Sequence, residues 1–253
     1  MSHHLVALED VNFEYPDGTS ALRGVSFSIH HGEAVGLVGA NGAGKSTLLL
    51  HLAGVLLPSS GHVRVGDWPV TARTLPQVRR SLGMVFQDPD DQLFMPTVGD
   101  DVAFGPLNLD LPPEEVETRV AGALERVGAT HLRSRPPYKL SGGEKRAASI
   151  ASVLSMSPDI LVMDEPSSNL DPASRRRLIA LLQSFEHTKI VATHDLDLVL
   201  DVCARTIVLR EGRVAADGPT GSIFQDDALL ASCHLERPLR LQGCPRCGPG
   251  RRG

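Results

Sequence analysis

Residues 39–46 read Gly-Ala-Asn-Gly-Ala-Gly-Lys-Ser, which fits the pattern G-x-x-x-x-G-K-[ST]. A short apolar run of strand character, residues 33–38, comes directly before it, and leucines at near-helical spacing follow from residue 48. A strand, a glycine-rich turn and the start of a helix form the context that a phosphate-binding loop requires. The alternative is a glycine-rich turn that precedes a helix by chance.

The chemistry expected of this loop follows from its residue types. Glycines let consecutive backbone N–H groups point inward and form a concave anion site, and the helix N-terminus adds partial positive charge. Lys45 can reach the β- and γ-phosphates, and the Ser46 hydroxyl can bind Mg²⁺. The loop therefore predicts a site for a nucleoside triphosphate with Mg²⁺. Its predicted binding residues are Gly39, Asn41, Gly42, Ala43, Gly44, Lys45, Ser46 and Thr47.

A second pattern combines an apolar run with two carboxylates. Residues 160–166 read Ile-Leu-Val-Met-Asp-Glu-Pro, and the four apolar residues fit a strand buried on both faces. Asp164 and Glu165 then emerge at its carboxyl end, where ligands bind in open α/β sheets. Asp164 can hold Mg²⁺, and Glu165 can polarise a water molecule aimed at the γ-phosphate. The alternative is a solvated Asp-Glu pair at a strand end.

The third pattern is Leu-Ser-Gly-Gly-Glu-Lys-Arg at residues 140–146, followed by a helical run. Ser141 is a candidate N-cap, and Glu144 three residues later completes a capping box. Gly142 and Gly143 would expose backbone N–H groups at the helix N-terminus and so form a second anion site. The alternative is an ordinary capped helix without a ligand.

Composition places the chain among ordinary globular proteins. Its 253 residues are 42% hydrophobic and 22% charged. No apolar run approaches the roughly 18 residues that span a bilayer, and the start lacks a signal-peptide pattern, so we expect the chain to stay in the cytosol and to reach a membrane only through a partner. The net charge of −5 argues against nucleic acid as a partner.

Strand-like and helix-like segments alternate along most of the sequence. Strand signals occur near residues 5–15, 25–29, 33–38, 62–65, 82–86, 160–163, 189–193 and 206–210, whereas residues 97–156 read as helical. This arrangement predicts an α/β core interrupted by a helical insertion.

Taken in order, the glycine-rich loop, the Leu-Ser-Gly-Gly-Glu stretch, the apolar run ending in Asp-Glu-Pro, and Thr-His-Asp at 193–195 resemble the ATP-binding cassette (ABC) ATPases over about residues 5–225. The resemblance implies an α/β fold with a P-loop NTPase (RecA-like) core, an antiparallel β subdomain and a helical subdomain that carries the Leu-Ser-Gly-Gly-Glu signature. It further implies an ATPase domain over residues 3–235, with its helical subdomain at about 89–157.

The resemblance also implies roles for single residues. Tyr15 looks like the aromatic that stacks on adenine, Gln87 like the glutamine that contacts Mg²⁺ and the attacking water, and His194 like the switch histidine that contacts the γ-phosphate. Residues 168–171 look like the D-loop. The implied catalytic residues are Glu165, His194 and Gln87; the implied Mg²⁺ ligands are Ser46, Gln87 and Asp164; Tyr15, Ser141, Gly142, Gly143 and Asp171 join the ATP-binding residues. Tyr15 could instead be an ordinary strand-end aromatic, Gln87 a solvated loop residue, and His194 a structural histidine.

In this family two cassettes pair head to tail, so that the P-loop of one faces the signature of the other. The chain has one of each motif and is expected to pair with itself or with a sister ATPase. Residues 85–106, together with Leu-Ser-Gly-Gly-Glu-Lys-Arg and the stretch from Thr193 to Cys203, resemble the ATPase subunits of energy-coupling-factor transporters, and the cobalt and nickel importers most of all.

That narrower resemblance implies integral-membrane transporter subunits as partners, contacted through residues 88–106, and a peripheral position on the cytoplasmic side of the cell membrane. The cargo would be cobalt, nickel or a vitamin. The alternatives are a soluble ABC-type ATPase that acts on ribosomes or DNA, and a P-loop nucleotide-binding regulator without a transport role. Soluble ABC-type ATPases that act on ribosomes or DNA usually carry two cassettes, long coiled-coil inserts or basic faces. This sequence shows none of these features.

Residues 236–253 differ in composition from the rest and are predicted to be a disordered tail. Five arginines and no acid lie in residues 237–253, so that the rest of the chain carries a net charge of −10 once these five positive charges are taken away. Cys233-His234 and the C-x-x-C at 244–247 could bind a metal ion, and the arginines could contact anionic lipid; a tail with no specific role is the third alternative.

Overall fold

The computed structural model describes residues 4–242. Two sheets and a group of helices make up this part of the chain. The strands are β1 (His4–Glu14), β2 (Ser20–His30), β3 (Ala34–Val38), β4 (Ser60–Val65), β5 (Trp68–Pro69), β6 (Leu82–Val85), β7 (Ile160–Asp164), β8 (Thr188–Ala192), β9 (Arg205–Arg210) and β10 (Arg213–Pro219). The helices are α1 (Lys45–Leu52), α2 (Leu75–Ser81), α3 (Val98–Asn108), α4 (Pro113–Arg126), α5 (Gly142–Leu154), α6 (Pro172–Ser184), α7 (Leu196–Val202), α8 (Thr220–Ile223) and α9 (Asp227–Ser232).

The six-stranded sheet has the order β10-β9-β3-β8-β7-β6, and all its neighbours are parallel except the β9–β10 hairpin. The four-stranded sheet is antiparallel with the order β2-β1-β4-β5. Helices α3, α4 and α5 follow β6 and lie within the predicted helical range 89–157. The predicted fold class, a P-loop core with an antiparallel β subdomain and a helical subdomain, is confirmed.

Strand β7 explains why the core has two halves. Successive residues of a strand point to opposite faces, and all five residues of β7 are buried. Ile160 and Val162 pack into the cluster that joins the two sheets around α1, whereas Leu161 and Met163 pack into the cluster beneath the helices. A strand apolar on both faces thus carries Asp164 to the carboxyl edge of the sheet.

Disorder of the tail at residues 236–253 stays a prediction, and the structure describes the first part of that range, residues 236–242. Residues 236–242 include a short 3₁₀ turn, Leu239–Leu241, that lies against α7. The N–H groups of Leu239 and Arg240 donate to the Asp197 carboxylate, and the Arg240 guanidinium donates to Asp201 at 2.7 Å. These hydrogen bonds, one of which is also an ion pair, join the segment to α7. Residues 243–253, with Cys244 and Cys247, lie outside the described residues.

Across residues 4–242, no helix has the length and apolar character needed to cross a membrane.

Candidate active site

The glycine-rich loop connects β3 to α1, as its pattern predicts. Gly42 and Gly44 have φ angles of 78° and 102°, in the left-handed region that favours glycine. A Cβ atom at Gly44 would also lie 2.7 Å from the carbonyl oxygen of Ala21. Backbone conformation and lack of space therefore both require glycine there, and α1 begins directly after it at Lys45.

Lys45 lies at the centre of this loop. Its Nζ donates to the carbonyl oxygens of Gly39, at 2.7 Å, and Ala40, at 3.2 Å, and the residue is only 7% exposed. Burial lowers the pKa of the Lys45 amine, and the nearby carboxylates of Glu165 and Asp164 oppose that shift. The ammonium group is thus fixed where an anion bound in the loop would meet it.

Tyr15 lies beside the first turn of α1. Its hydroxyl is 3.0 Å from the Thr47 hydroxyl, and its ring packs edge to face on Phe13 with centroids 4.9 Å apart. Phe13 in turn packs edge to face on buried His51, whose Nδ1 hydrogen-bonds to the Thr47 carbonyl. The structure therefore brings two predicted ATP-binding residues, Tyr15 and Thr47, into contact, and Phe13 and His51 support them.

Asp164 is the most constrained acid of the site. It is 4% exposed at the end of β7; burial raises the pKa of its carboxyl, and a hydrogen bond from the Ser46 side chain counteracts this. Among the described residues, its Oδ1 atom is buried without a hydrogen-bond partner. A buried carboxylate oxygen without a partner is costly, and a hard cation would complete its coordination. Ser46 and Asp164 therefore fit Mg²⁺.

Glu165 and His194 lie just after the carboxyl ends of the adjacent strands β7 and β8 and are in direct contact. His194 Nδ1 is 2.8 Å from Glu165 Oε2, and the His194 N–H donates to Oε1 at 3.1 Å. The Thr193 hydroxyl also donates to Oε2, at 2.9 Å. Glu165 has a φ of 45°, which is unfavourable for a residue with a side chain and is held by its N–H bond to the Ala192 carbonyl.

Thr193 was not among the predicted site residues. Its neighbour His194 was identified only through the Thr-His-Asp motif, and the sequence signal for Thr193 is its place at the end of β8, beside the carboxyl end of β7. The exposed imidazole of His194 leaves its other ring edge open to solvent, whereas Thr193 is fully buried.

Gln87 lies on the exposed loop after β6 and lines a cleft of about 580 Å³ with Ser46 and Asp164. Its carbonyl oxygen, with that of Phe86, accepts hydrogen bonds from the Arg146 guanidinium. The three predicted Mg²⁺ ligands thus face one cleft. Arg146, which sequence reasoning missed, lies in the same lining.

The signature motif begins α5. Ser141 is its N-cap, and the reciprocal bonds with Glu144 complete the capping box. Gly142 and Gly143 form the start of the first turn. A Cβ atom at Gly143 would lie 3.2 Å from Ser174 Oγ, so this turn packs closely on the start of α6.

Asp171 serves first as the N-cap of α6. Its carboxylate accepts from the N–H groups of Ala173 and Ser174 and from the Ser174 hydroxyl. These bonds occupy the carboxylate inside its own chain, and a contact of Asp171 with ATP stays a prediction.

Cys233, a suggested metal ligand, is buried in the core beneath the helices, away from solvent.

Comparisons with known proteins agree with this geometry. The family model described as "ABC transporter" matches residues 22–168. A protein of Geobacter sulfurreducens, provisionally named as an ABC transporter ATP-binding protein, is 69% identical over 98% of this chain and 100% of its own length. The energy-coupling factor transporter ATP-binding protein EcfA of Methanocaldococcus jannaschii is 43% identical over 93% of this chain and 86% of its own length.

Solved structures give the same result. CbiO1 of Clostridium perfringens, part of the ABC transporter complex CbiONQ, superposes with a TM-score of 0.79 at 39% identity, over 91% of this chain and 94% of that one. The ATP-binding cassette MJ0796, solved as a dimer in a post-hydrolysis state with ADP and Pi, has a TM-score of 0.78 at 27% identity, over 85% and 98%. By motif, geometry and kinship, the chain belongs to the ABC transporter family, as one of the ATP-hydrolysing cassettes of that family.

Proposed function

We propose that this cassette is the ATPase subunit of an energy-coupling-factor importer, which pairs with a second ATPase subunit and energises uptake of cobalt, nickel or a vitamin through integral-membrane partners. It would bind those partners from the cytoplasmic side as a peripheral membrane protein. Relatives named EcfA and the likeness to CbiO1 of a CbiONQ complex support the importer class.

The proposal rests mainly on an exposed aromatic pair, Phe94 and Phe104, in the segment that follows Gln87 in the sequence. Phe94 is 64% and Phe104 43% exposed, and their rings pack edge to face with centroids 5.0 Å apart. Leu107 adds a third large apolar side chain on the same helix as Phe104. Apolar side chains clustered in the open commonly mark a protein–protein interface, and this cluster follows directly after the loop that carries Gln87.

Hydrogen bonds from buried and capping side chains hold the backbone of this surface. The buried Asp101 accepts hydrogen bonds from the N–H groups of Phe94 and Met95 through one carboxylate oxygen. Thr97 caps α3 through the Asp100 N–H. A preformed aromatic surface loses little conformational entropy when it binds, which suits docking of a membrane subunit.

The chemistry assigned to the site follows from its hydrogen bonds. Glu165 would accept a proton from the attacking water, since its carboxylate is oriented by Thr193 and His194. Lys45 and the loop N–H groups would hold the β- and γ-phosphates, and the Tyr15 ring would stack on adenine. Mg²⁺ bound by Ser46, Asp164 and Gln87 would neutralise phosphate charge during hydrolysis.

In the proposed dimer, each chain would complete the ATP site of the other chain. The signature turn at Gly142 and Gly143 would contact ATP held on the partner's P-loop, since its N–H groups start a helix and form an anion site. The single P-loop and single signature of the chain, and a related cassette solved as a dimer, support this arrangement. Either a homodimer or a pair with a sister ATPase satisfies it.

Affinity purification from membranes tests the proposal. The wild-type cassette should bring down integral-membrane subunits, and Phe94→Ser together with Phe104→Ser should abolish this while ATP hydrolysis continues. Trp68→Ser is the matched control, because Trp68 is a similarly exposed aromatic on the edge strand β5. Equal recovery of membrane subunits with the double variant and with the control would contradict the proposed docking surface.

Uptake assays decide the cargo. Cells that lack the gene should lose import of ⁵⁷Co²⁺, ⁶³Ni²⁺ or a labelled vitamin, and the wild-type gene should restore it, whereas Glu165→Gln should not. Unchanged import of all three classes in the deleted strain would contradict the importer role.

A further inference from the structure

Arg146 is an unusually placed cation. It lies in the second turn of α5, is 3% exposed, and its two terminal nitrogens donate to the carbonyl oxygens of Phe86 and Gln87. One guanidinium thus spans two consecutive carbonyl groups of the loop that carries Gln87. The planar, rigid fork of arginine suits such a double contact, whereas the ammonium group of a lysine is a compact point charge without that fixed geometry.

A second connection fixes the same loop to α5. Gln92 Oε1 accepts from the Phe86 N–H at 3.2 Å, and its Nε2 donates to the Ser149 carbonyl and the Ser152 hydroxyl. Both the N–H and the C=O of Phe86 are therefore bonded, directly or through Gln92, to one helix. These hydrogen bonds hold the backbone at Gln87 to α5, so we expect the two to move together.

This arrangement is costly for the fold alone. Within residues 4–242 no carboxylate forms an ion pair with Arg146, and its Nε atom is buried without a hydrogen-bond partner. Burial lowers the pKa of the guanidinium, although the charges of Asp88 and Asp164 oppose this. A buried cation with carbonyl partners alone is usually less stable than an apolar side chain of similar volume. The presence of a group that costs stability in this way points to a function beyond stability.

The position of Arg146 on α5 supplies that function. Gly142 and Arg146 are four residues apart, so they lie one above the other on the same face of the helix. Gly142 belongs to the turn that would touch the partner's ATP, while Gln87 faces the cleft shared with Ser46 and Asp164 of its own chain. One helix turn therefore separates the contacts to the two ATP molecules of a dimer.

We propose that Arg146 is a positioning residue that couples the two ATP sites: engagement of the signature turn by the partner's ATP moves α5, and Arg146 carries Gln87 with it into its own site. The inference rests on the proposed dimer. Coupling within each chain, applied in both directions across a two-fold dimer, makes ATP hydrolysis cooperative in ATP concentration.

Steady-state ATP hydrolysis, measured against ATP concentration, tests the coupling. Wild-type protein should show a Hill coefficient approaching about 2, the number of sites, whereas Arg146→Met should fall to about 1 and Arg146→Lys should lie between them. Gln92→Leu, which removes the second connection without exposing a buried charge, should also lower the Hill coefficient. ADP affinity, which reports one P-loop alone, should be unchanged in all three variants.

Arg119→Met is the matched control. Arg119 also lies in the helical subdomain and donates to a backbone carbonyl, that of Met156, but among residues 4–242 it has no hydrogen bond or ion pair with the Gln87 loop. Its Hill coefficient should equal that of the wild type. Hydrogen–deuterium exchange adds a direct readout: MgATP should protect peptide 86–92 in the wild type and in Arg119→Met, and not in Arg146→Met.

Several outcomes would overturn the coupling. These are a wild-type Hill coefficient of about 1, or a wild-type Hill coefficient in both Arg146→Lys and Gln92→Leu, or equal protection of peptide 86–92 in Arg146→Met and wild type. Failure of the proposed function would give a different result. Membrane subunits would then not copurify with the wild type, although its ATP hydrolysis remained cooperative.

Discussion

His194 Nδ1 lies 2.8 Å from Glu165 Oε2, so the imidazole contacts the carboxylate at the carboxyl edge of the sheet. The same carboxylate accepts from the Thr193 hydroxyl and the His194 N–H. Three groups from the end of β8 thus orient a side chain from the end of β7. A carboxylate held in this way has a defined direction toward which it can polarise water.

Glu165→Gln should bind ATP with unchanged affinity and lose hydrolysis by about 10²- to 10⁴-fold, the usual contribution of a general base. Because ATP would then persist at the interface, the variant should remain dimeric in MgATP. Phosphate release and size-exclusion chromatography measure the two effects. Glu186→Gln, a change at an exposed glutamate, serves as the control. Hydrolysis at the wild-type rate in Glu165→Gln would remove Glu165 from the mechanism.

Thr193→Val should lower turnover without altering ATP affinity, because valine keeps the shape but removes the donor to Glu165 Oε2. The loss should be about 10- to 100-fold, the value of one hydrogen bond to a charged group, and Thr193→Ser should restore most of it. Turnover and nucleotide affinity are measured separately by phosphate release and by fluorescence titration. Equal rates for the valine and serine variants would show that the hydroxyl does not matter.

Two substitutions at Tyr15 distinguish the role of its ring from the role of its hydroxyl. Tyr15→Phe should retain ATP affinity, since it loses only the contact with the Thr47 hydroxyl, whereas Tyr15→Ala should weaken it by about 1–3 kcal/mol if the ring stacks on adenine. Titration with ATP and with inorganic triphosphate checks this, because the triphosphate lacks the base. A similar weakening for both ligands would place Tyr15 outside the adenine site.

Much of the fold could be predicted because its signals are local. The run of residues 160–163 is apolar on both faces and strand β7 spans Ile160–Asp164; Pro113–Arg126 carries a regular apolar stripe and forms α4. Helix α6 and strand β10 gave no comparable signal. Residues 172–184 are rich in arginine and bury only one narrow stripe, and β10 lies at the sheet edge with alternating burial.

The residues of the candidate site also fall into two groups, those that the sequence predicts and those that it does not. Motif residues such as Lys45 and Asp164 could be identified from spacing, whereas Thr193, Arg146 and Gln92 act through hydrogen bonds between segments distant in the chain. Arg146 follows the signature motif, but its acceptors lie 59 and 60 residues away. Spacing in sequence carries no information about such contacts. Only the packing of α5 against the loop after β6 reveals them.

Asp101 should make stability depend on pH in a defined direction. Burial raises the pKa of its carboxyl above the ordinary 3.8, although the N–H groups of Phe94 and Met95 lower it in part. The folded protein therefore keeps this proton to higher pH than the unfolded chain does. This contribution to the free energy of unfolding is complete below about pH 3.8 and is lost as pH rises through the folded-state pKa.

Asp101→Asn cannot ionise and keeps an acceptor for the two N–H groups, so its free energy of unfolding should fall less steeply over this pH range. Urea unfolding from pH 4 to pH 8 measures the slope. Asp110→Asn is the control, because Asp110 is exposed with a φ of 57° that asparagine tolerates. A slope in Asp101→Asn equal to that of the wild type would contradict the assignment.

Complementation between two inactive variants tests most directly whether two chains build each ATP site. Lys45→Ala removes the P-loop cation, and Gly142→Asp places a negative charge at the signature turn, where a Cβ atom has free space and the Ser141 cap is kept. Each variant alone should hydrolyse almost no ATP. An equal mixture should recover up to about a quarter of wild-type activity, since half of the dimers are mixed and each has one intact site. No recovery in mixtures shown to contain mixed dimers, or full activity of Gly142→Asp alone, would contradict a site shared between chains.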